Sequence, residues 1–129
     1  MEKENRDPLT EKIIACCFRV HSELGPGFNE KIYRNALKLV LKDAGLECWT
    51  EKEFPVYFKD KKIGSLKLDL IVEDKVIVEV KAVDQVMPIH QAQVFSYLKL
   101  SGCKVGLLLN FNEKLLKNGI HRIINGTLS

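Results

Sequence analysis

Between Leu66 and Leu109 the apolar residues change their spacing twice, and that succession restricts the fold more than any other feature of the chain. Leu66, Leu68, Leu70 and Val72 alternate with other residues, and Val76, Val78 and Val80 do so again after Glu73-Asp74-Lys75. This predicts two strands joined by a three-residue turn. Pro88 to Ser101 then reads as a helix, with Pro88 near its start and Gly102 at its end. Cys103 to Leu109 is almost continuously apolar, as in a strand covered on both faces, and entry through a helical crossover makes it parallel to its predecessor. A hairpin followed by a parallel strand gives a mixed sheet with helices against it.

The alternation also restricts the hairpin register. Both apolar sets face one core only if paired positions sum to an even number, and the tightest such turn pairs Val72 with Val76. Asp69 then lies opposite Glu79, with Cβ atoms roughly 4.5 to 5.5 Å apart. Lys81, two residues beyond Glu79, projects from the same face.

The flanking segments supply the remaining layers. Asp7-Pro8 is a good helix start, and Leu9, Ile13, Cys16, Cys17, Val20 and Leu24 follow at helical spacing until Gly25-Pro26-Gly27 breaks the ladder. A second helix carries Ile32, Ala36, Leu37, Leu39, Val40 and Ala44 and ends near Gly45. Trp49 to Phe58 reads as one strand, which Pro55 confines to an edge or a bulge, and a turn is expected around Asp60 to Gly64. Ile120 to Ile124 is a candidate last strand. With 129 residues the chain has room for one core. The expected division is a domain over 9–125 between tails at 1–8 and 126–129.

Several classes of protein are disfavoured. The longest apolar run, Ile13 to Phe18, is far short of the roughly 20 residues that cross a bilayer, and the N-terminus lacks the apolar segment of a signal peptide. A cytoplasmic protein without membrane contact is expected. The net charge of +3 permits nucleic acid as a partner without arguing for it. Cys16, Cys17, Cys48 and Cys103 have neither zinc-ligand spacing nor a disulfide pattern and read as reduced, mostly buried side chains. Gly25-x-Gly27 follows a helix and lacks the rest of a phosphate-loop fingerprint, so it reads as a structural hinge.

Two carboxylates opposite each other in a hairpin repel, so a compensating group is expected. A hard divalent cation such as Mg²⁺ suits the pair, because it takes one or two carboxylates and completes its shell with other oxygens. Lys81 would neutralise an anionic substrate or help to position attacking water. Equally, Glu-x-Lys is a common solvated strand pattern, with Asp69 paired to Lys67 or Lys81. Glu30 falls at the rim of the second helix's apolar arc, where a purely solvated carboxylate is out of place, although complementing the helix dipole is a sufficient reason for it. Gln93 and Tyr97, four apart, share one stripe of the third helix, a spacing that also arises by chance.

Taken together, these residues resemble the GxxExxY proteins, a group within the PD-(D/E)XK nuclease superfamily. Gly27-Phe-Asn-Glu30-Lys-Ile-Tyr33 carries the signature, followed by Asp69, Glu79-Val80-Lys81 and Gln93-Val-Phe-Ser-Tyr97, and the likeness spans about Ile13 to Ile124. The resemblance implies an α/β, restriction-endonuclease-like αβββαβ core with an extra N-terminal helix. It implies that Asp69 and Glu79 hold Mg²⁺, with Mn²⁺ as a substitute, and that the Val80 carbonyl is a further ligand. Lys81 would act near the nucleophilic water, Glu30 would complete or orient the acidic site, and Gln93 and Tyr97 would position Lys81, water or phosphate. Leu68 stands where the superfamily's name has proline, a position whose chemistry is dispensable.

The function so implied is hydrolysis of phosphodiester bonds in nucleic acid, DNA first among the candidates, with a homodimer or protein partner supplying specificity. Two other readings stay open: a module on the same fold that binds nucleic acid or protein without cutting, and a metal-dependent hydrolase of small phosphorylated molecules.

Overall fold

The computed structural model describes residues 7–126. Helix α1 (Pro8–Leu24) starts where Asp7 accepts the Thr10 amide and hydroxyl, each at 2.7 Å. Helix α2 (Glu30–Asp43) starts behind Asn29, whose side chain caps the Ile32 amide, and both helices bury one stripe. Of the expected tails, 1–6 and 127–129 lie outside the described residues, and Pro8 already belongs to α1.

Seven strands follow among the described residues: β1 (Cys48–Thr50), β2 (Glu53–Phe58), β3 (Lys61–Lys67), β4 (Leu70–Val72), β5 (Val76–Lys81), β6 (Val105–Asn110) and β7 (Ile120–Ile124). Helix α3 (Pro88–Ser101) connects β5 to β6, and Gly102 takes the left-handed conformation that ends it, as the sequence predicts. The main sheet has the order β1-β4-β5-β6-β7, antiparallel except for the β5–β6 pair joined through α3. It is a mixed sheet flanked by helices, the architecture of the restriction-endonuclease-like fold.

The β4–β5 register is the one the alternation requires, with Val72 opposite Val76, Ile71 opposite Ile77 and Leu70 opposite Val78. Leu70, Val72, Val76, Val78 and Val80 join the core beneath α1 and α2. On the other face, Ile71 and Ile77 pack with Leu98 of α3 and with Cys103.

Two expectations about the strands are corrected. The stretch from Trp49 to Phe58 is broken at Glu51, which has a φ of 56°, so β1 stays in the main sheet while β2 leaves it. Likewise Leu66 to Val72 is two strands, β3 and β4, parted at Leu68-Asp69. Leu68 consequently packs with Ile71 and Ile77, on the face opposite Leu70 and Val72. β2 and β3 form their own two-stranded sheet, turning at Lys59-Asp60 instead of Asp60 to Gly64. Both turn residues have positive φ, as a two-residue hairpin turn of the primed kind demands. Pro55 is accommodated because β2 has a free edge, and a bulge follows between Val56 and Tyr57.

Candidate active site

The short length of β4 creates the site. Its ladder with β5 ends at Leu70 and Val78, so the last three residues of β5, paired with β6 on one side, run on without a strand on the other. Asp69, one step past the ladder, fills part of the gap: its carbonyl accepts the Glu51 amide at 3.3 Å, and its Oδ2 accepts the Val80 amide at 3.0 Å. A carboxylate thereby takes the place of a missing backbone acceptor. In a strand the amide and carbonyl of one residue point to the same side, so the Val80 carbonyl faces this same gap.

Glu79 and Lys81 lie beside Asp69. The Lys81 Nζ is 3.6 Å from Glu79 Oε2, and the two side chains are only 15% and 10% exposed. Glu79 Oε1 is buried and has no hydrogen-bond partner among the described residues. Burial and the nearby Asp69 carboxylate push the Glu79 carboxyl up to about 7, with Lys81 opposing the rise and Glu30 adding to it. The repulsion expected between the two carboxylates is therefore present. It is eased on the Asp69 side by Arg34, whose Nη1 is 3.3 Å from Asp69 Oδ1.

Arg34 was not apparent in the sequence as part of the site. The available signal was its position one turn after Glu30, which places both on the side of α2 that overhangs the strand ends. Glu30 itself is exposed in the first turn of α2, contrary to the expectation that it avoids solvent. Its angular position does continue the buried row of Tyr33, Leu37 and Leu41, but the core ends before reaching it.

Tyr33 fixes this end of α2. Its hydroxyl donates to the Gly25 carbonyl at 2.5 Å and accepts the Phe28 amide at 3.1 Å, while its ring stacks on Phe111 at 4.8 Å between centroids. The Phe111 amide in turn donates to the Lys81 carbonyl at 2.9 Å. Gly27 has a φ of 109°, which a residue with a Cβ rarely adopts, so the loop before Glu30 depends on both its glycine and its tyrosine. The Gly27, Glu30 and Tyr33 pattern is thus chiefly a positioning device. Buried Asn110, at the end of β6, holds the chain after Lys81 by pairing with the amide and carbonyl of Val83 at 3.0 and 2.9 Å.

From the opposite face, α3 presents Tyr97, half-buried against the Leu68, Ile71 and Ile77 cluster. Burial raises its pKa, and the Glu79 and Asp69 carboxylates are close enough to add to the rise. Gln93, one turn earlier, is exposed. The fold thus gathers Asp69, Glu79, Val80 and Lys81 in one place, with Arg34 and Glu30 from α2 and Tyr97 from α3 around them.

Two oxygen donors that repel each other, one of them with an unpartnered buried oxygen, suit a hard divalent cation. Among the described residues no three His, Cys, Asp or Glu side chains lie close enough to form a metal centre by themselves. The carboxylate pair would need carbonyl and water oxygens to complete a shell, which is the usual manner of Mg²⁺.

A mixed sheet with carboxylates and a lysine where a short strand leaves its neighbour bare defines a protein of the restriction-endonuclease-like class. The chain belongs to the PD-(D/E)XK nuclease superfamily, whose family model matches residues 7–123. Its structure is similar to the crystal structure of SSO0001, with a TM-score of 0.50 and 25% sequence identity over 77% of this chain. The match covers 50% of that protein, so this chain spans about half its length. No curated protein matches in sequence. No described helix is long and apolar enough to cross a membrane.

Proposed function

We propose that the protein is a divalent-metal-dependent nuclease of the GxxExxY group, with Mg²⁺ or Mn²⁺ held by Asp69, Glu79 and the Val80 carbonyl. The observation that carries this reading is the buried, unpartnered Glu79 Oε1 beside a second carboxylate and a lysine. Leaving a buried carboxylate oxygen unsatisfied is costly, and a cation is the partner that would also relieve its repulsion by Asp69. When bound, such an ion supplies Lewis-acid polarisation of water and of a phosphoryl oxygen.

The chain's own residues have separate tasks. Lys81 points its ammonium at Glu79, where it orients water and offsets phosphate charge. Arg34 offsets the charge of Asp69 from α2, and a guanidinium so near a phosphodiester site also complements an anionic substrate. Glu30 lies at the exposed entrance and orients the attacking side. Tyr97 and Gln93, from α3, position the phosphate on the other side. Superfamily membership supports nucleic acid as the substrate, with DNA the first to test, and a second copy or a partner protein would add specificity.

The test is hydrolysis of labelled DNA and RNA with Mg²⁺ and Mn²⁺ by wild type and by the Asp69→Ala, Glu79→Ala and Lys81→Ala variants, alongside calorimetry of metal binding. Cleavage that needs metal and is lost in all three variants supports the assignment. Well-folded wild type that binds metal at neither carboxylate and cuts nothing would refute it.

A further inference from the structure

The β2–β3 hairpin leaves the main sheet at the site and carries groups that its own folding does not use. Its base is fixed by the Leu68 amide, which donates to the Lys52 carbonyl at 3.0 Å, and Asp69 is the next residue. From there β2 extends for six residues, about 20 Å at the usual strand rise. Near the base Phe54 packs against the cluster under α3. At the far end Tyr57, Phe58 and Ile63 are 61%, 62% and 65% exposed. A two-stranded hairpin is marginal on its own, and apolar groups so exposed at its tip bury little surface to support it.

Charge is concentrated here as well. Residues 52–67 contain five lysines against Glu53 and Asp60, a net charge of +3, while outside them 15 basic and 15 acidic side chains cancel. The whole formal excess of positive charge therefore resides on this arm. Lysines do protect free strand edges against aggregation, but that role does not call for exposed aromatics. The pairing sets Tyr57 across from Lys62 and Phe58 across from Lys61, so each face of the tip has one ring beside one ammonium. Lys59 also lies over the Phe58 ring at 5.9 Å. Rings with neighbouring cations suit unpaired bases together with phosphates, whereas paired bases hide their faces.

We propose that the β2–β3 hairpin is an arm that holds a single-stranded nucleic acid leading to the site, with bases stacked on Tyr57 and Phe58 and phosphates on Lys59, Lys61 and Lys62. This rests on the nuclease reading and narrows its substrate to unpaired strands or splayed ends.

The test measures binding of a short labelled oligodeoxythymidylate by fluorescence anisotropy in EDTA across a salt series, with hydrolysis of bis(p-nitrophenyl) phosphate in Mn²⁺ measured on the same proteins. That diester is too small to span from the site to the tip. Tyr57→Ala with Phe58→Ala is expected to weaken strand binding by about tenfold or more, and Tyr57→Leu with Phe58→Leu to weaken it similarly, because leucine is apolar but does not stack. Lys61→Gln with Lys62→Gln is expected to reduce the slope of log affinity against log salt by about 1.4. Hydrolysis of the small diester should be unchanged in all of these variants.

Wild-type strand binding that the variants retain would overturn the arm while leaving the nuclease reading intact, provided the diester is hydrolysed. Wild type that neither binds the strand nor hydrolyses the diester would overturn both. Variants that dissociate a wild-type dimer but bind the strand normally would make the tip a self-association surface and overturn the proposal.

Discussion

Raising the pH should loosen this protein, and a divalent cation should reverse the effect. Glu79 has its carboxyl moved from 4.5 to about 7, first by burial and then by Asp69. Lys81 and Arg34 supply positive charge nearby, Glu30 adds negative charge at the entrance, and Tyr97 is the neutral group facing from α3. Because the folded-state value is raised, the folded protein holds a proton that the unfolded chain has already released between pH 4.5 and about 7. Below that window both states are protonated and nothing is lost. As the pH climbs through it, folding stability falls. At about 1.4 kcal/mol per pH unit, the full loss is about 3 kcal/mol, a large share of an ordinary domain's stability.

The measurement is urea unfolding of wild type and Glu79→Gln from about pH 5 to about pH 8, without metal. Glutamine keeps the shape and carries no charge at any pH. The stability of wild type relative to the variant should therefore fall by about 2 to 3 kcal/mol across the series, which begins just inside the window. Mg²⁺ at the upper end should recover part of the wild-type loss, by about 2.7 kcal/mol at a hundred times its dissociation constant, and leave the variant nearly unchanged. A difference between the two proteins that stays flat with pH would refute the account of Glu79 as a buried carboxyl under strain from Asp69. A flat response to Mg²⁺ alone would refute its role as a ligand.

Other substitutions probe the surroundings of the site. Arg34→Ala removes the guanidinium that competes for Asp69 Oδ1, and calorimetry should show Mn²⁺ binding more tightly than in wild type. Weaker binding would mean that Arg34 is needed to hold the carboxylate in position. Tyr33→Phe strands the Gly25 carbonyl and the Phe28 amide, and should cost about 1 to 3 kcal/mol in chemical unfolding while leaving the Phe111 stack in place. Gly106→Ala would bring a Cβ to 2.6 Å from a methyl of Val94 on α3, so α3 must shift, and a stability loss of about 1 to 3 kcal/mol is expected from the same measurement.

Much of the frame was legible because periodicity reports burial. The ends of α3, the parallel run of β6, the last strand and the Val72 to Val76 register all follow from which residues must face a core. The division of β3 from β4 did not, since Leu66, Leu68, Leu70 and Val72 keep a spacing of two across it and no glycine or proline marks the joint at Leu68-Asp69. Alternation is blind to a strand that changes partners at mid-length. The Arg34 to Asp69 contact was similarly hidden, because it joins a helix to the joint between two strands 35 residues away and no local spacing encodes that distance.

The hidden joint explains how the site tolerates its own charges. Had Leu66 to Val72 remained one strand paired throughout with β5, Asp69 would have stood in the ladder directly against Glu79, and the repulsion would have opposed the hairpin itself. By leaving the ladder, Asp69 exchanges that position for a hydrogen bond from the Val80 amide and an ion pair with the Arg34 guanidinium. Glu79 stays on the strand and carries the remaining strain as a raised pKa and an unpartnered oxygen. The same departure frees the edge of β5 and sends β2 and β3 outward, so the opening of the site and the projection of the basic hairpin have one structural cause.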